Sequence, residues 1–381
     1  MKEREAWIHL ALVKGTGPKL FQTMYREDLS PLDVLAMDKA QLKSLGCNEP
    51  LAATLSQAHS NKLSAEAEKT LEWESAHDTH HLVTWLDSNY PTRLKHIASP
   101  PPLLMIHGNL EALSLPQIAL VGSRYPTQAG QAQAFEFSES LADMGFVITS
   151  GLARGVDTYA HKGCLQTGGM TVAVLGTGLN QIYPKQNKRL AEEIVERGAL
   201  VSEFALSIPA MSGHFPRRNR IVSGLSLGVL VIEATLKSGS LITARQALEQ
   251  NREVMALPGA LSNPQKAGCH YLIQQGAELI ETPQQILNCV GPQALEYTQP
   301  VGDTQGAHSL KDNLKHDHKD GAENDLQPEQ VHVLNKMDYD GLAIDEIAVK
   351  SRVPIHELTV TLMDLELSGL IRQEQGLYSR I

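Results

Sequence analysis

Four cysteines in 381 residues, Cys47, Cys164, Cys269 and Cys289, stand without any Cys-x-x-Cys spacing. That scarcity excludes a disulfide framework and a cysteine zinc site and leaves buried, reduced thiols as the expectation. No apolar run approaches the roughly 18 residues that a membrane span needs. The N-terminal Met1-Lys2-Glu3-Arg4-Glu5 mixes acids with bases, unlike the basic end of a secretion signal. Membrane insertion is not expected, and a cytoplasmic location is. Also missing are a Walker A sequence and a Gly-x-Gly-x-x-Gly after the first central strand, so the usual ATP and dinucleotide fingerprints are absent and no cofactor is expected.

The chain lacks an excess of basic charge as well, with 33 Lys and Arg against 43 Asp and Glu. Such a balance argues against nucleic acid until it is apportioned. Residues 116–290 hold 14 bases and 13 acids, so most of the surplus acid lies outside the centre. The bases also bunch there, most densely in His214-Phe215-Pro216-Arg217-Arg218-Asn219-Arg220. A local positive pocket is therefore compatible with an acidic whole.

What the chain has is a change of pattern along its length. Residues 1–81 read as short helices broken at Lys14-Gly15-Thr16-Gly17-Pro18 and Leu45-Gly46-Cys47, a SAM-like or helix-hairpin-helix-like domain. The glycine–proline turn admits two readings, backbone N–H groups meeting a DNA phosphate or a plain turn in a docking domain. Residues 82–116 form a connector in which Pro100-Pro101-Pro102 leads into Leu103–Ile106, expected as an edge strand. From 117 to 290, short apolar runs alternate with Gly-rich turns and helical stretches, which predicts an α/β, Rossmann-like parallel sheet covered on both faces. Seven strands are expected, at 118–121, 146–149, 171–175, 199–202, 229–233, 253–257 and 278–280. Ligands bind beyond the carboxyl ends of such strands. Residues 291–329 read as a flexible linker in which a metal site at His308, His316 and His318 lacks rigid support. Residues 330–381 read as a winged helix. Its presumed recognition helix is poor in bases, which favours a protein contact over duplex reading.

The small residues at the strand ends come in a specific set of motifs. They include Gly122-Ser123-Arg124, Ser150-Gly151-Leu152-Ala153-Arg154-Gly155-Val156-Asp157 and Tyr183-Pro184-Lys185-Gln186-Asn187. Phe215-Pro216-Arg217-Arg218-Asn219-Arg220, Ser238-Gly239-Ser240-Leu241-Ile242-Thr243 and Leu257-Pro258-Gly259 continue the series. Together these resemble the DNA-processing protein A (DprA/Smf) family over residues 117–282, and the flanks resemble those of its longer members. The resemblance implies single-stranded DNA binding, loading of the RecA recombinase in natural transformation, homodimerisation through the Rossmann-like domain and no catalytic activity. Two departures stand out: Gly268-Cys269-His270 replaces the family's Gly-Cys-Asn, and Met255 stands where an aromatic is common. A base contact by His270 would become pH-sensitive.

Single strands are held by cations on phosphates and by planes on which bases stack. Arg124 offers a bidentate phosphate contact or, alternatively, a buried salt bridge. Lys185 offers a point charge, and Asn187 a contact or a cap for the next helix. Phe215 reads as a stacking platform or a core residue. Arg217 and Arg220, three apart on a helix, read as phosphate ligands, with Arg218 or Asn219 as internal scaffold. Ser123, Asn219, Gly239 and Ser240 complete the DNA-binding set that the resemblance implies. The enzyme alternative is a metal-assisted nucleotide or nucleic-acid hydrolase built on Asp157, Glu203 and Glu233. Each carboxylate has a structural role available, Asp157 as a helix cap and the two glutamates as holders of arginines.

Overall fold

The computed structural model describes residues 1–57, 63–295, 328–334, 336–337, 341–367, 370–374 and 377–380. The larger of its two compact units runs from Met1 to Pro258 and resumes at Pro264. Six helices open it: α1 (Glu3–Leu12), α2 (Pro18–Arg26), α3 (Pro31–Ala36), α4 (Lys39–Ser44), α5 (Glu49–Gln57) and α6 (Ala65–Ser75). Prolines at the first position of α2 and α3 give up an N–H that a helix start leaves unpaired anyway. Ser30 and Asp38 cap α3 and α4 through reciprocal capping boxes. The helices dock on the sheet through Trp7, whose Nε1–H donates to the Pro102 carbonyl at 2.7 Å, and Arg4, which holds Glu74 and the Leu82 carbonyl. The Gly15–Pro18 turn links α1 to α2, with Gly15 at φ +95°.

The sheet has nine strands: β1 (His80–Thr84), β2 (Leu103–Gly108), β3 (Gln117–Val121), β4 (Val147–Ser150), β5 (Thr171–Val174), β6 (Ala199–Ser202), β7 (Gly228–Val231), β8 (Glu253–Ala256) and β9 (Glu278–Leu279). Their order is β1-β2-β6-β5-β4-β3-β7-β8-β9. From β6 to β9 all pairs are parallel, whereas β1 on β2 and β2 on β6 are antiparallel. The seven expected strands all form. Leu103–Ile106, expected at an edge, instead lies between β1 and β6, and the edge is β1 from the His-rich segment that begins at His80. The segment expected as a connector thus extends the sheet by two strands.

Between the strands run α7 (Thr92–Lys95), α8 (Gln128–Asp143), α9 (Val156–Gln166), α10 (Lys188–Arg197), α11 (His214–Leu225), α12 (Ser240–Glu249) and α13 (Ala267–Gln274), and α14 (Pro283–Leu295) follows β9. The chain builds outward from β3 to β6, then α11 crosses back so that β7 pairs with β3 on its other side. This reversal opens a crevice at the carboxyl ends of the strands, the position where doubly wound sheets bind ligands. The uninterrupted apolar runs are explained by burial on both faces: Ile118, Leu120 and Ile148 pack with α8 and α9, while Ala119, Val147, Val172 and Val174 join the opposite cluster.

The smaller unit carries helices Pro328–Leu334, Ile344–Ser351 and Ile355–Leu367 and the strands β10 (Leu342–Ala343), β11 (Ile371–Glu374) and β12 (Leu377–Arg380), ordered β10-β12-β11. Ile347, Leu358, Leu362, Leu365 and Ile371 fill its core. Helix, helix and antiparallel wing follow in the order that the C-terminal periodicity predicts. His308, His316 and His318 lie outside the described residues. No described helix is long and apolar enough to cross a membrane.

Beneath the crevice, His161 of α9 is wholly buried. The Thr171 hydroxyl donates to the Ile148 carbonyl at 2.6 Å, so its oxygen accepts from His161 Nδ1–H at 2.7 Å, and Nε2 has no hydrogen-bond partner among the described residues. Burial, and after it the nearby Arg218 charge, pushes His161 down to about 3. The folded protein therefore holds this ring neutral while the unfolded chain protonates it below about 6.5. Its stabilising share is present above that pH and is lost as pH falls toward 3, amounting to about 2 kcal/mol by pH 5. Denaturant titrations of wild type and His161→Asn at pH 7.5 and 5 test this. The variant is expected to lose about 2 kcal/mol less on acidification, and an unchanged pH dependence would assign the loss to another group.

Candidate nucleic-acid interface

The crevice is organised by the first turns of α11. Arg218 points into the sheet, 5% exposed, and its Nη1 donates to the Gly151 carbonyl at 2.6 Å and to the Val174 carbonyl, joining the ends of β4 and β5. Its Nε reaches Asn219 Oδ1 at 3.2 Å. A Cβ on Gly151 would stand 2.4 Å from the guanidinium, so a larger residue here would displace the Arg218 head from its carbonyls. Asp157, buried close by, accepts from the N–H groups of Gly151 and Ala153 at 3.1 and 3.2 Å. Burial pushes its carboxyl pKa up, against the pull of Arg218, and pushes Arg218 down to about 10, so the guanidinium keeps its charge near neutrality. Asp157 does not cap α9, whose N-cap is Gly155; it closes the loop in front of that helix.

With α11 fixed in this way, Phe215 lies over Gly176 just past β5, where a Cβ would meet Phe215 Cδ1 at 2.8 Å. Its ring is half-buried, 5.6 Å from the Tyr183 ring and 5.6 Å from Arg124 Cζ. Arg124 is exposed rather than buried in a salt bridge. It is presented by a tight link in which Ser123 N–H donates to the Glu233 carbonyl at 2.7 Å, Ser123 C=O accepts from Val156 N–H at 3.1 Å and Ser123 Oγ accepts from Tyr125 N–H at 3.1 Å. Lys185 is exposed two residues after Tyr183. Asn187 is buried, and its side chain is not a cap for α10: Nδ2 donates to the Leu152 and Ala153 carbonyls and to Thr158 Oγ1, pinning the Tyr183–Lys185 loop to the strand ends.

Arg217 and Arg220 do share a face, but that face is turned toward Glu203, which follows β6. Glu203 Oε2 accepts from Arg217 at 2.9 Å and from Arg220 at 2.5 Å. Arg217 remains half exposed, with Cζ 5.3 Å from the Phe204 ring. The Arg220 side chain is only 11% exposed, and burial lowers its pKa despite the carboxylate. Arg220, expected on the ligand face, thus sits inside it, because the helix turns its fourth position from Arg217 onto the strand-end carboxylate. Among the described residues no arginine pairs with Glu233, which accepts from Thr127 N–H at 2.9 Å and Thr127 Oγ1–H at 2.7 Å at the start of α8. Gly239 is exposed and Ser240 buried at the start of α12, where the Ser238 and Ser240 hydroxyls pair at 2.7 Å. His270 is half-buried on α13, and Met255 is buried in β8.

Tyr183 is the feature that sequence reading underweights. Its signal was an aromatic–proline pair placed directly before a loop lysine. Among the described residues, no group of three or more His, Cys, Asp or Glu is arranged to hold a metal ion.

What the crevice offers is cations beside aromatic rings, the two components of single-strand binding sites. The family model for DNA recombination-mediator protein A matches residues 81–291, and that for the DprA winged helix domain matches residues 317–376. The chain belongs to the DNA recombination-mediator protein A family. Protein Smf of Escherichia coli K12 is 43% identical over 303 residues, 79% of this chain and 78% of that protein. DNA processing protein DprA of Streptococcus pneumoniae is 45% identical over 202 residues, 53% of this chain and 71% of that protein. The X-ray structure of the pneumococcal DprA superposes with a TM-score of 0.65 at 35% identity, covering 74% of this chain and 95% of that one. A DprA from Helicobacter pylori, described by its single-stranded DNA binding mode, superposes at 0.51 with 31% identity, covering 56% and 97%. The family assigns this chain a role in DNA processing. The match from residue 81 also takes in β1 and β2, in keeping with their place in the sheet.

The contrast between Arg220 and Arg124 is open to measurement. Arg220→Ala leaves a buried carboxylate with one half-exposed partner and is expected to cost about 3 kcal/mol of stability. Arg124→Ala, at an exposed position, is expected to stay within about 0.5 kcal/mol. Chemical denaturation compares them, and equal stability of the two variants would contradict the inward placement of Arg220.

Proposed function

We propose that this chain is a non-catalytic, cytoplasmic single-stranded-DNA-binding protein that protects incoming strands in natural transformation. On this reading it acts as a homodimer through its Rossmann-like domain and passes the strand to the RecA recombinase. The observation that carries the proposal is the Arg124 guanidinium beside the Phe215 ring with Lys185 exposed close in sequence to Tyr183, at the crevice where the sheet reverses. Arg124, Lys185 and Arg217 supply phosphate contacts, and Phe215 supplies a plane. Ser123 presents Arg124, and Gly239 and Ser240 extend the small-residue rim at α12. Asn187, Asn219 and Arg220 belong to the scaffold. Membership of a recombination-mediator family supports the RecA assignment.

The hydrolase reading is less favoured because its three carboxylates are committed elsewhere. Asp157 closes a backbone loop, Glu203 pairs two arginines and Glu233 holds Thr127. For the winged helix a protein partner is favoured over duplex DNA. Helix Ile355–Leu367 contains no Lys or Arg and carries Glu357, Asp364 and Glu366, with Val360 60% and Met363 61% exposed.

Titration with labelled single-stranded and duplex oligonucleotides, without metal or nucleotide, tests the assignment. Single strands are expected to bind preferentially. Arg124→Ala and Lys185→Ala should each reduce the log K against log [salt] slope by about 0.7. Failure to bind either nucleic acid, or variants that keep the wild-type slope and affinity, would overturn it.

A further inference from the structure

Phe215 alone makes a poor plate. One edge rests on Gly176, the Arg124 guanidinium and the Tyr183 ring both approach it at 5.6 Å, and what remains of its surface is half-buried. Tyr183 is the reverse case. It is 50% exposed in a chain where most large apolar and aromatic side chains are covered, and its ring is tilted 44° from that of Phe215.

The loop that presents Tyr183 is also held rigidly. Thr177 Oγ1 donates to the Gln181 carbonyl at 2.5 Å, and Gln181 N–H to the Gly178 carbonyl at 2.9 Å. Gly178 and Asn180 N–H groups donate to the Ile208 and Leu206 carbonyls at 2.9 and 3.1 Å. On the other side Pro184 is buried, its carbonyl accepts from Asn187 N–H at 3.0 Å, and Asn187 is locked as described. An exposed aromatic on a loop this well tied has already lost the freedom that ordering on binding would otherwise cost. Lys185, two residues away, stands ready for the phosphate that neighbours a stacked base.

Resting on the single-strand reading above, we propose that Tyr183 is the principal base-stacking residue of the crevice, with Phe215 as its backing. A nucleobase lies on the open face of the Tyr183 ring, Phe215 fixes the tilt of that ring, and Arg124 and Lys185 take phosphates beside it. Stacking on an aromatic face is tolerant of sequence, since every base has a π-face. The hydroxyl of Tyr183 has no part in it. A scaffold role for Tyr183 would make no distinction between strands with and without bases.

That distinction is the test. Binding of a labelled oligothymidylate and of an abasic deoxyribose-phosphate strand of the same length is measured for wild type, Tyr183→Phe, Tyr183→Leu and Tyr183→Ala, with Lys185→Ala as the electrostatic reference. Tyr183→Leu and Tyr183→Ala are expected to bind the oligothymidylate from about five- to about a hundredfold more weakly, the range of one base–aromatic stack. Tyr183→Phe should keep wild-type affinity. All four proteins should bind the abasic strand alike, and the salt slope should stay at the wild-type value in the Tyr183 variants while it falls in Lys185→Ala. If Tyr183→Ala binds oligothymidylate as wild type does while Lys185→Ala is weakened, the stacking role is overturned and the single-strand reading stands. Equal weakening of Tyr183→Ala on both strands overturns it too. If wild type shows no preference for single strands over duplex, the reading on which this rests fails first.

Discussion

A buried guanidinium joins the helix that carries the crevice to the sheet that frames it. Arg218 spans the ends of β4 and β5 through two backbone carbonyls, and Asp157, which accepts from the N–H of the same Gly151 residue, counters its charge. An unpaired charge at that depth would be prohibitive, so guanidinium, carboxylate and peptide form one mutually dependent set. Because Arg218 is anchored, Phe215 three positions earlier is laid over Gly176, and Arg217 and Arg220 are brought to Glu203. The outward Phe215 ring and the half-exposed Arg217 are thus placed by an inward arginine on the same helix.

This arrangement reconciles an acidic chain with an anionic ligand. The bases that matter are few: Arg124 is exposed beside the Phe215 ring, and Lys185 is exposed two residues after Tyr183. Arg217 shows how fine the partition is: one nitrogen is held by Glu203 while half of the side chain faces solvent over Phe204. Neutralising Glu203 would free that arginine for phosphate and leave Arg220 buried without its partner, so a gain in local positive charge would come with a loss of stability.

Much of the fold was legible because parallel strands buried on both faces appear as short, uninterrupted apolar runs between glycines, as at Ile118–Val121 and Val172–Val174. Strand order was not legible. Leu103–Ile106 reads as an edge only until β1 pairs outside it, and that pairing rests on His80–Thr84, a segment whose histidines mask its strand character. At the site, the spacing of Arg217 and Arg220 correctly put them on one face. Which face it was depends on Glu203, 14 and 17 residues upstream and brought close only by the turn after β6. Asn187 is ambiguous for the same reason, since its partners Leu152 and Ala153 lie 35 and 34 residues away. Tyr183 follows no periodicity, and only the surrounding loop hydrogen bonds show that it is held outward.

On the proposed function, single-stranded DNA runs through the crevice at the carboxyl ends of β3, β5 and β6. Photo-crosslinking of the full chain to a thymidylate strand bearing 4-thiothymidine, followed by peptide mass spectrometry, reads that path directly. The account predicts crosslinks in the segments 123–125, 183–187 and 215–217, suppressed by unlabelled single strands and not by duplex. Crosslinks confined to the N-terminal helices or to residues 330–381, with those three segments silent, would contradict it.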